Sequence, residues 1–282
     1  MTTLRKSGFV AAAVTGLLLS LSGTASAAEV LRIGTDGGAE PWTFTDSSGQ
    51  LIGYDIDVGN EICARINAEC EWITTDWNGI FPALNLGKFD IIMAGVNVTD
   101  ERKQSMDFTR SYAVSLSSFA AKEGSSLAGY QASVDVVNLD DMTPAAQAEI
   151  IALRAVMQDQ SVGIQTGNNT VPFIEEFFGD LDLREYDKLE TRDLDMQAER
   201  LDLGMAGESY WKKLATKEEV SVVAFGPKFG GGIIGGDIAA PMKQGRPELK
   251  SSIDAALSSM VADGTLAELA VKWLGSDASP KK

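Results

Sequence analysis

Residues 70–102 read CEWITTDWNGIFPALNLGKFDIIMAGVNVTDER, and this stretch decides the fold. "CEWIT" has the β-branched and aromatic content of a strand. "WNGIFPALNLGKFD" carries Ile80 and Leu84 four apart, the spacing of one helix face. "DIIMAGV" is a second short apolar run of strand length. Strand, helix, strand is the alternation of α/β proteins with a mostly parallel sheet. Ligands of such sheets bind beyond the carboxyl ends of the strands. At that end the last run gives way to small residues, Gly95 to Asn97, and then to Thr99-Asp100-Glu101-Arg102.

The pattern continues in both directions. "VLRIGTDGGAEPWTF" is a strand, Val30 to Gly34, entering a Gly- and Pro-containing loop. "LIGYDIDVGNEICARIN" is a turn and a helix with Ile56, Ile62 and Ile66 on one face. Downstream, "SVGIQTG", "LREYD" and "LDLGMAG" read as strands. "TVPFIEEFF", "LDMQAERL" and "ESYWKKL" read as the helices between and after them. "GGGIIGGDIAAPMK" reads as a Gly-rich strand. "PELKSSIDAALSSMVADGTLAELAVKWLG" reads as two helices broken at Asp263-Gly264. It has no strands of its own and is expected to pack back onto the first α/β unit. Ser125 to Gln160 reads as an insertion, polar at first and then an Ala-rich helix, Pro144 to Met157.

The start of the chain has the layout of a secretory signal peptide. Arg5 and Lys6 precede an apolar run, Gly8 to Leu21, and Ala25-Ser26-Ala27 supplies small residues at the cleavage spacing. The run is shorter than the ~20 residues that span a bilayer. Cleavage after Ala27 leaves 22 basic against 40 acidic side chains, a net charge of −18. Nucleic acid is thereby excluded, since phosphate binding needs a basic face. The sequence contains no histidine, the commonest general base and metal ligand.

Cys63 and Cys70 are the two cysteines, and in an exported protein a close pair is expected to be oxidised. On one continuous helix they would stand ~10.5 Å apart along the axis, beyond the ~7 Å Cα separation a disulfide tolerates. The bond therefore requires the helix to stop between them, and Asn67 is a suitable stopping residue.

Together, "IGTDGGAEPWTF", "GYDIDVGNEICARIN", "WNGIFPALNLGKFDIIMAGVNVTDERKQSMDFT", "VGIQTGNNT" and "VADGTLAELAVKWL" resemble the periplasmic polar amino-acid-binding proteins of ABC transporters, from about Val30 to Leu274. The cysteine pair is similar to that of the lysine/arginine/ornithine and histidine binders. The Gly-Gly-x-x-Pro-Trp start and the insertion are nearer the opine-binding branch. The resemblance implies a two-lobed α/β fold of the type II periplasmic binding class. The first lobe would comprise 28–114 and 233–282, and the second 115–232 with an insertion at about 125–160. Crossings would fall near Tyr112 to Leu116 and Phe229 to Gly236. It also implies a periplasmic, monomeric receptor without metal or cofactor, whose partners are a small amino acid or conjugate and a membrane permease.

Residue by residue, the resemblance gives Arg102 the ligand's carboxylate, with Ala94, Gly95 and Asn97 beside it. On its residues alone Arg102 reads more readily as a solvated surface side chain like its charged neighbours, although a guanidinium matches a carboxylate in a two-pronged way. Trp77 reads either as a core aromatic or as a platform for the ligand's aliphatic stem. Asp36 is placed against a cationic end, with Glu40 a further acid nearby. Ala39 stands where relatives have tyrosine, and Trp42 reads as structural. Ser117, Asn168 and Asn169 are expected to close the clamp from the second lobe. Gly207 stands where α-amino-acid binders carry an aspartate for the ammonium, which favours a substituted amine such as an opine. Glu208 is one position further on, where a strand side chain points the other way. Asp237 is expected to form a hinge ion pair. Two other functions remain open at this point: an enzyme on the same scaffold, a dehydratase of cyclic amino-acid precursors, and a soluble co-receptor for signalling.

Overall fold

The computed structural model describes residues 1–3, 29–217 and 221–280. The expected leader, 1–27, lies outside them apart from its first three residues. The architecture is α/β with two principal sheets, as expected. The first sheet orders its strands Ala68–Thr74, Glu29–Thr35, Ile91–Ile92, Pro241–Lys243, Met106–Phe108. The first three are parallel, and Pro241–Lys243 enters antiparallel between Ile91–Ile92 and Met106–Phe108. The second sheet runs Val136–Asn138, Val222–Gly230, Ser117–Lys122, Leu203–Gly207, Ser161–Gln165, Asp182–Tyr186. The passages between the sheets are tied to each other, since Ala113–Val114 pairs antiparallel with Asp237–Ile238.

Each sheet has its own apolar core. Leu31, Ile33, Val58, Ile62 and Ile91 pack with Met242, Leu257 and Leu266. The C-terminal helices Pro247–Asp263 and Thr265–Leu274 thus fold back onto the first sheet, and they break at Gly264 with φ 86°. The second core is built around five buried phenylalanines, Phe119, Phe173, Phe178, Phe225 and Phe229. The Phe119–Phe178 ring centroids are 5.1 Å apart, and Phe173–Phe229 5.0 Å.

The helix Tyr54–Arg65 ends where Asn67 takes φ 54°, between the two cysteines. Cys63 and Cys70 are bonded, with Cα atoms 5.8 Å apart. The segment 125–160 is more than a surface insertion. Val136–Asn138 extends the second sheet beside Lys228–Gly230. Helix Pro144–Met157, capped by Thr143, buries Ile150, Leu153 and Met157 in the second core.

Several elements differ from expectation. Ser117–Lys122 and Val222–Gly230 are strands at the centre of the second sheet, the latter despite Gly226-Pro227. The intermediate helix is Leu189–Gln197, ahead of "LDMQAERL". The Gly-rich run is a 3-10 turn, Gly232–Ile234, followed by two short strands, because Gly231, Gly232 and Gly235 take positive φ and turn the chain.

Candidate functional site

A cleft lies between the sheets. From the first side it is lined by Asp36, Ala39, Trp42, Trp77, Ala94, Gly95 and Asn97. Ser115, Ser117, Gln165, Asn168, Thr170, Met205, Gly207 and Tyr210 are among those facing them from the second. The sequence-predicted residues are therefore brought together except for Arg102 and Asn169, and Arg102 stands directly behind the wall.

The corner after Ile91–Ile92 is shaped by glycine geometry. Gly95 has φ 61°, and a Cβ there would lie 3.0 Å from the Trp42 ring. Its amide donates to Asp55 Oδ2 at 2.5 Å, so it is turned inward and is not free for a ligand. Asp55 is fully buried, and desolvation pushes its carboxyl up to about 7. Nothing in "GYDIDV" distinguishes this buried aspartate from Asp57, which is partly exposed and paired with Lys272.

Thr99 caps the short helix Asp100–Lys103, its Oγ1 accepting from the Arg102 amide at 3.3 Å. The Arg102 side chain turns back and donates to the Asn97 carbonyl at 2.9 Å. Its guanidinium lies over Phe81 at 4.9 Å and over Trp77 at 5.8 Å from the ring centroids. No carboxylate among the described residues pairs with it. Desolvation lowers its pKa to about 10. The protein thus supplies its own guanidinium against Trp77. Trp77 opens the helix Trp77–Asn85, is 7% exposed, and leaves its Nε1 without a hydrogen-bond partner.

Asp36 is the one charged side chain on the wall of this inner cleft. Its Oδ1 is buried and unpartnered, and burial pushes the carboxyl up to about 7. Trp42 meets the edge of Tyr54 in the core and also presents its ring to the cleft. Ala39 contributes only a methyl group to the lining.

On the second side, Asn168 Oδ1 accepts from the amide and hydroxyl of Thr170, at 3.2 and 3.3 Å. Its Nδ2 is not used in these bonds. Asn169 does not line the cleft; it is buried, and its side-chain amide donates to the Ile234 carbonyl. The turn that presents one asparagine to the cleft directs its neighbour into the crossing.

Of three further acids, two are engaged elsewhere. Glu208 pairs with Lys212 and Lys228, each at 3.0 Å. Glu40 pairs across the cleft with Lys217 at 2.9 Å and Lys213 at 3.4 Å. Asp237 forms no ion pair among the described residues; its carbonyl accepts from the Val98 amide at 2.8 Å, so this crossing is held by backbone ladder instead.

Sequence reasoning missed Ser115, Gln165 and Tyr210. Tyr210 donates its hydroxyl to Asp193, whose Oδ1 also receives Arg192 Nη2 at 2.7 Å. Arg192 is fully buried, reaches the Met205 carbonyl at 3.0 Å and lies 4.6 Å over Trp211. This network fixes the strand and the phenol that form the cleft floor. In sequence, "TRDLD" looks like any solvated charged segment.

Comparison with known proteins fits this geometry. The octopine-binding periplasmic protein of Rhizobium meliloti is 28% identical over 284 residues, covering 93% of this chain and 96% of the relative. The lysine/arginine/ornithine-binding periplasmic protein of Escherichia coli is 26% identical, covering 96% and 97%. A solved structure from Silicibacter pomeroyi, a periplasmic His/Glu/Gln/Arg/opine family-binding protein in complex with lysine, superposes with a TM-score of 0.71 at 27% identity, covering 89% of this chain and 100% of that one. The model of the bacterial extracellular solute-binding proteins, family 3, matches residues 31–276, and the chain belongs to that family.

Proposed function

We propose that the protein is an extracytoplasmic receptor for a polar amino acid or opine-like conjugate with a carboxylate and a cationic end, which it delivers to the membrane permease of an ABC importer. One observation carries this reading. Arg102, desolvated and with no carboxylate partner among the described residues, stands behind the cleft wall, and Asp36, whose Oδ1 is buried and without a cation, forms part of that wall. A zwitterionic or dipolar ligand supplies both counter-charges at once, which is the condition under which buried charges are tolerated. Arg102 takes the carboxylate, Trp77 and Trp42 wall the aliphatic stem, and Asp36 faces the cationic end. Ser117 and Asn168 reach the ligand from the opposite sheet. Gly207 presents no carboxylate to an ammonium at this position, where a Cβ would already stand 3.1 Å from Ser115 Oγ. Because contacts come from both sheets, the ligand favours the closed arrangement.

In this reading 1–27 is a leader removed on export, the first lobe is 28–114 with 233–282, and the second is 115–232. The relatives above are named for binding, which favours a receptor over an enzyme on the same scaffold.

Calorimetric titration with arginine, lysine, ornithine, octopine, nopaline, glutamine and glutamate tests the proposal. Saturable binding of at least one cationic ligand, tighter than glutamate, is expected. Binding of none of them, or glutamate binding at least as tightly as arginine, overturns it.

A further inference from the structure

The cleft does not end at Asp36. Asp36, Trp77, Gln165 and Leu189 line the inner cleft on one side and an outer groove on the other. The groove runs between residues 74–79 and residues 187–190, and its charged side chains are Asp36, Asp76, Asp187, Lys188 and Glu190. Asn78 bridges it, donating to Asp187 at 2.9 Å.

Two buried polar atoms stand unpartnered on the side chains shared by both compartments: the acceptor Asp36 Oδ1 and the donor Trp77 Nε1. The Nε1 edge faces the loop at Gly167, where an added Cβ would lie 3.9 Å away. It is a different part of the indole from the face that Arg102 lies over. The end of a lysine or arginine side chain offers donors only. It satisfies Asp36 and leaves Trp77 Nε1 without an acceptor. A secondary amide offers both acceptor and donor, its carbonyl and N–H pointing to opposite sides, so it can accept on one side and donate on the other.

Resting on the proposed function, we infer that the preferred ligand is longer than a free amino acid: a basic amino acid extended through an amide on its side-chain nitrogen, with the amide at the Asp36–Trp77 neck and a further cationic group in the acidic outer groove. The amide carbonyl accepts from Trp77 Nε1. The amide N–H donates to Asp36 Oδ1, so for this longer ligand the cationic end lies beyond Asp36 and not directly against it. The terminal ammonium then lies among Asp76, Asp187 and Glu190, which outnumber Lys188.

The test compares lysine, Nε-acetyl-lysine and Nε-glycyl-lysine by calorimetry on the full mature chain. Nε-glycyl-lysine is expected to bind at least tenfold more tightly than lysine, with Nε-acetyl-lysine between them. Trp77→Phe keeps the ring but removes Nε1, and should shrink the acetyl-lysine to lysine ratio at least threefold. Glu190→Gln should shrink the glycyl-lysine to acetyl-lysine ratio while leaving the acetyl-lysine to lysine ratio in place. Lysine binding as tightly as Nε-glycyl-lysine, or ratios indifferent to Trp77→Phe, overturns the inference and leaves the receptor reading standing. Failure of every ligand, with arginine and octopine included, overturns both.

Discussion

Arg102→Ala separates the carboxylate grip from the fold. Arg102 is a half-buried side chain whose guanidinium is desolvated, which lowers its pKa to about 10 from 12.5. At 1.36 kcal/mol per unit, that desolvation costs the charged form about 3 kcal/mol. Its compensations are one hydrogen bond to the Asn97 carbonyl and two aromatic faces. Those are worth about 1 kcal/mol for the bond and about 0.5–2 kcal/mol for each cation–π contact. The two sides nearly cancel, so truncation should leave the melting temperature of the empty protein close to that of the parent. Binding responds differently. Removing one partner of a buried charged pair costs about 2–5 kcal/mol, which is roughly 30- to 4000-fold in affinity at 1.4 kcal/mol per decade. Arg102→Lys should recover part of this, because an ammonium cannot form the two-pronged contact. Lys103→Ala should change affinity little, since Lys103 is exposed and pairs with Asp100 at 3.0 Å. Calorimetry and thermal melting of the three variants decide the matter. Parent-like binding by Arg102→Ala, with unchanged melting, would place the grip elsewhere.

The Asp36 carboxyl, raised to about 7, must lose its proton to pair with a cation. Affinity for arginine or lysine should fall up to tenfold per pH unit as pH drops from about 7 to 5 and level off above, and Asp36→Asn should flatten the profile; a flat parent profile refutes this. In the empty protein the sign is the reverse: a carboxyl raised from 3.8 makes stability fall as pH rises from about 4 to about 7, an effect that stability measured against pH will reveal. Cys63→Ser with Cys70→Ser opens an eight-residue loop and should cost about 2.5 kcal/mol of stability, read from urea midpoints against the oxidised parent. Gly95→Ala must adopt φ 61° against the Trp42 ring and should cost about 1–3 kcal/mol, with weaker binding; an unchanged midpoint would show that the corner relaxes freely.

The alternation of the first sheet was legible because its strands and helices keep their periods from Val30 to Ala94. The helix stop at Asn67 was legible because a bond between Cys63 and Cys70 requires the helix to end between them, and asparagine is a suitable stopping residue. The strand Val222–Gly230 was hidden by Gly226-Pro227, which are tolerated because the pairing with Ser117–Lys122 shifts register between Phe225 and Phe229. In the site, Asp36, Trp77 and Ser117 could be placed from the resemblance. The engagement of Glu40 by Lys213 and Lys217 could not, since these partners are remote in sequence and meet only when the two sheets face each other. The same holds for Asp55, Arg192 and Asp193. A buried charge and a solvated one look alike in sequence, and only the third dimension tells which carboxylate holds an amide or a guanidinium.

The strand Pro241–Lys243 closes the first sheet between Ile91–Ile92 and Met106–Phe108, far after both in the chain: Met242 pairs with Ile91 and Pro241 with Phe108. The second sheet draws all its strands from the uninterrupted stretch between them. Assembly order follows from this connectivity. As the chain emerges from its N-terminus, residues 117–230 can complete their hydrogen-bond ladder first. The earlier half must wait, with Ile91 and Phe108 uncovered, until the end of the chain arrives. Long-range closure of this kind is slow, and the waiting species exposes apolar surface. A chain cut after residue 232 would therefore keep a complete second sheet beside an unfinished first one, and its aggregation would report on the first.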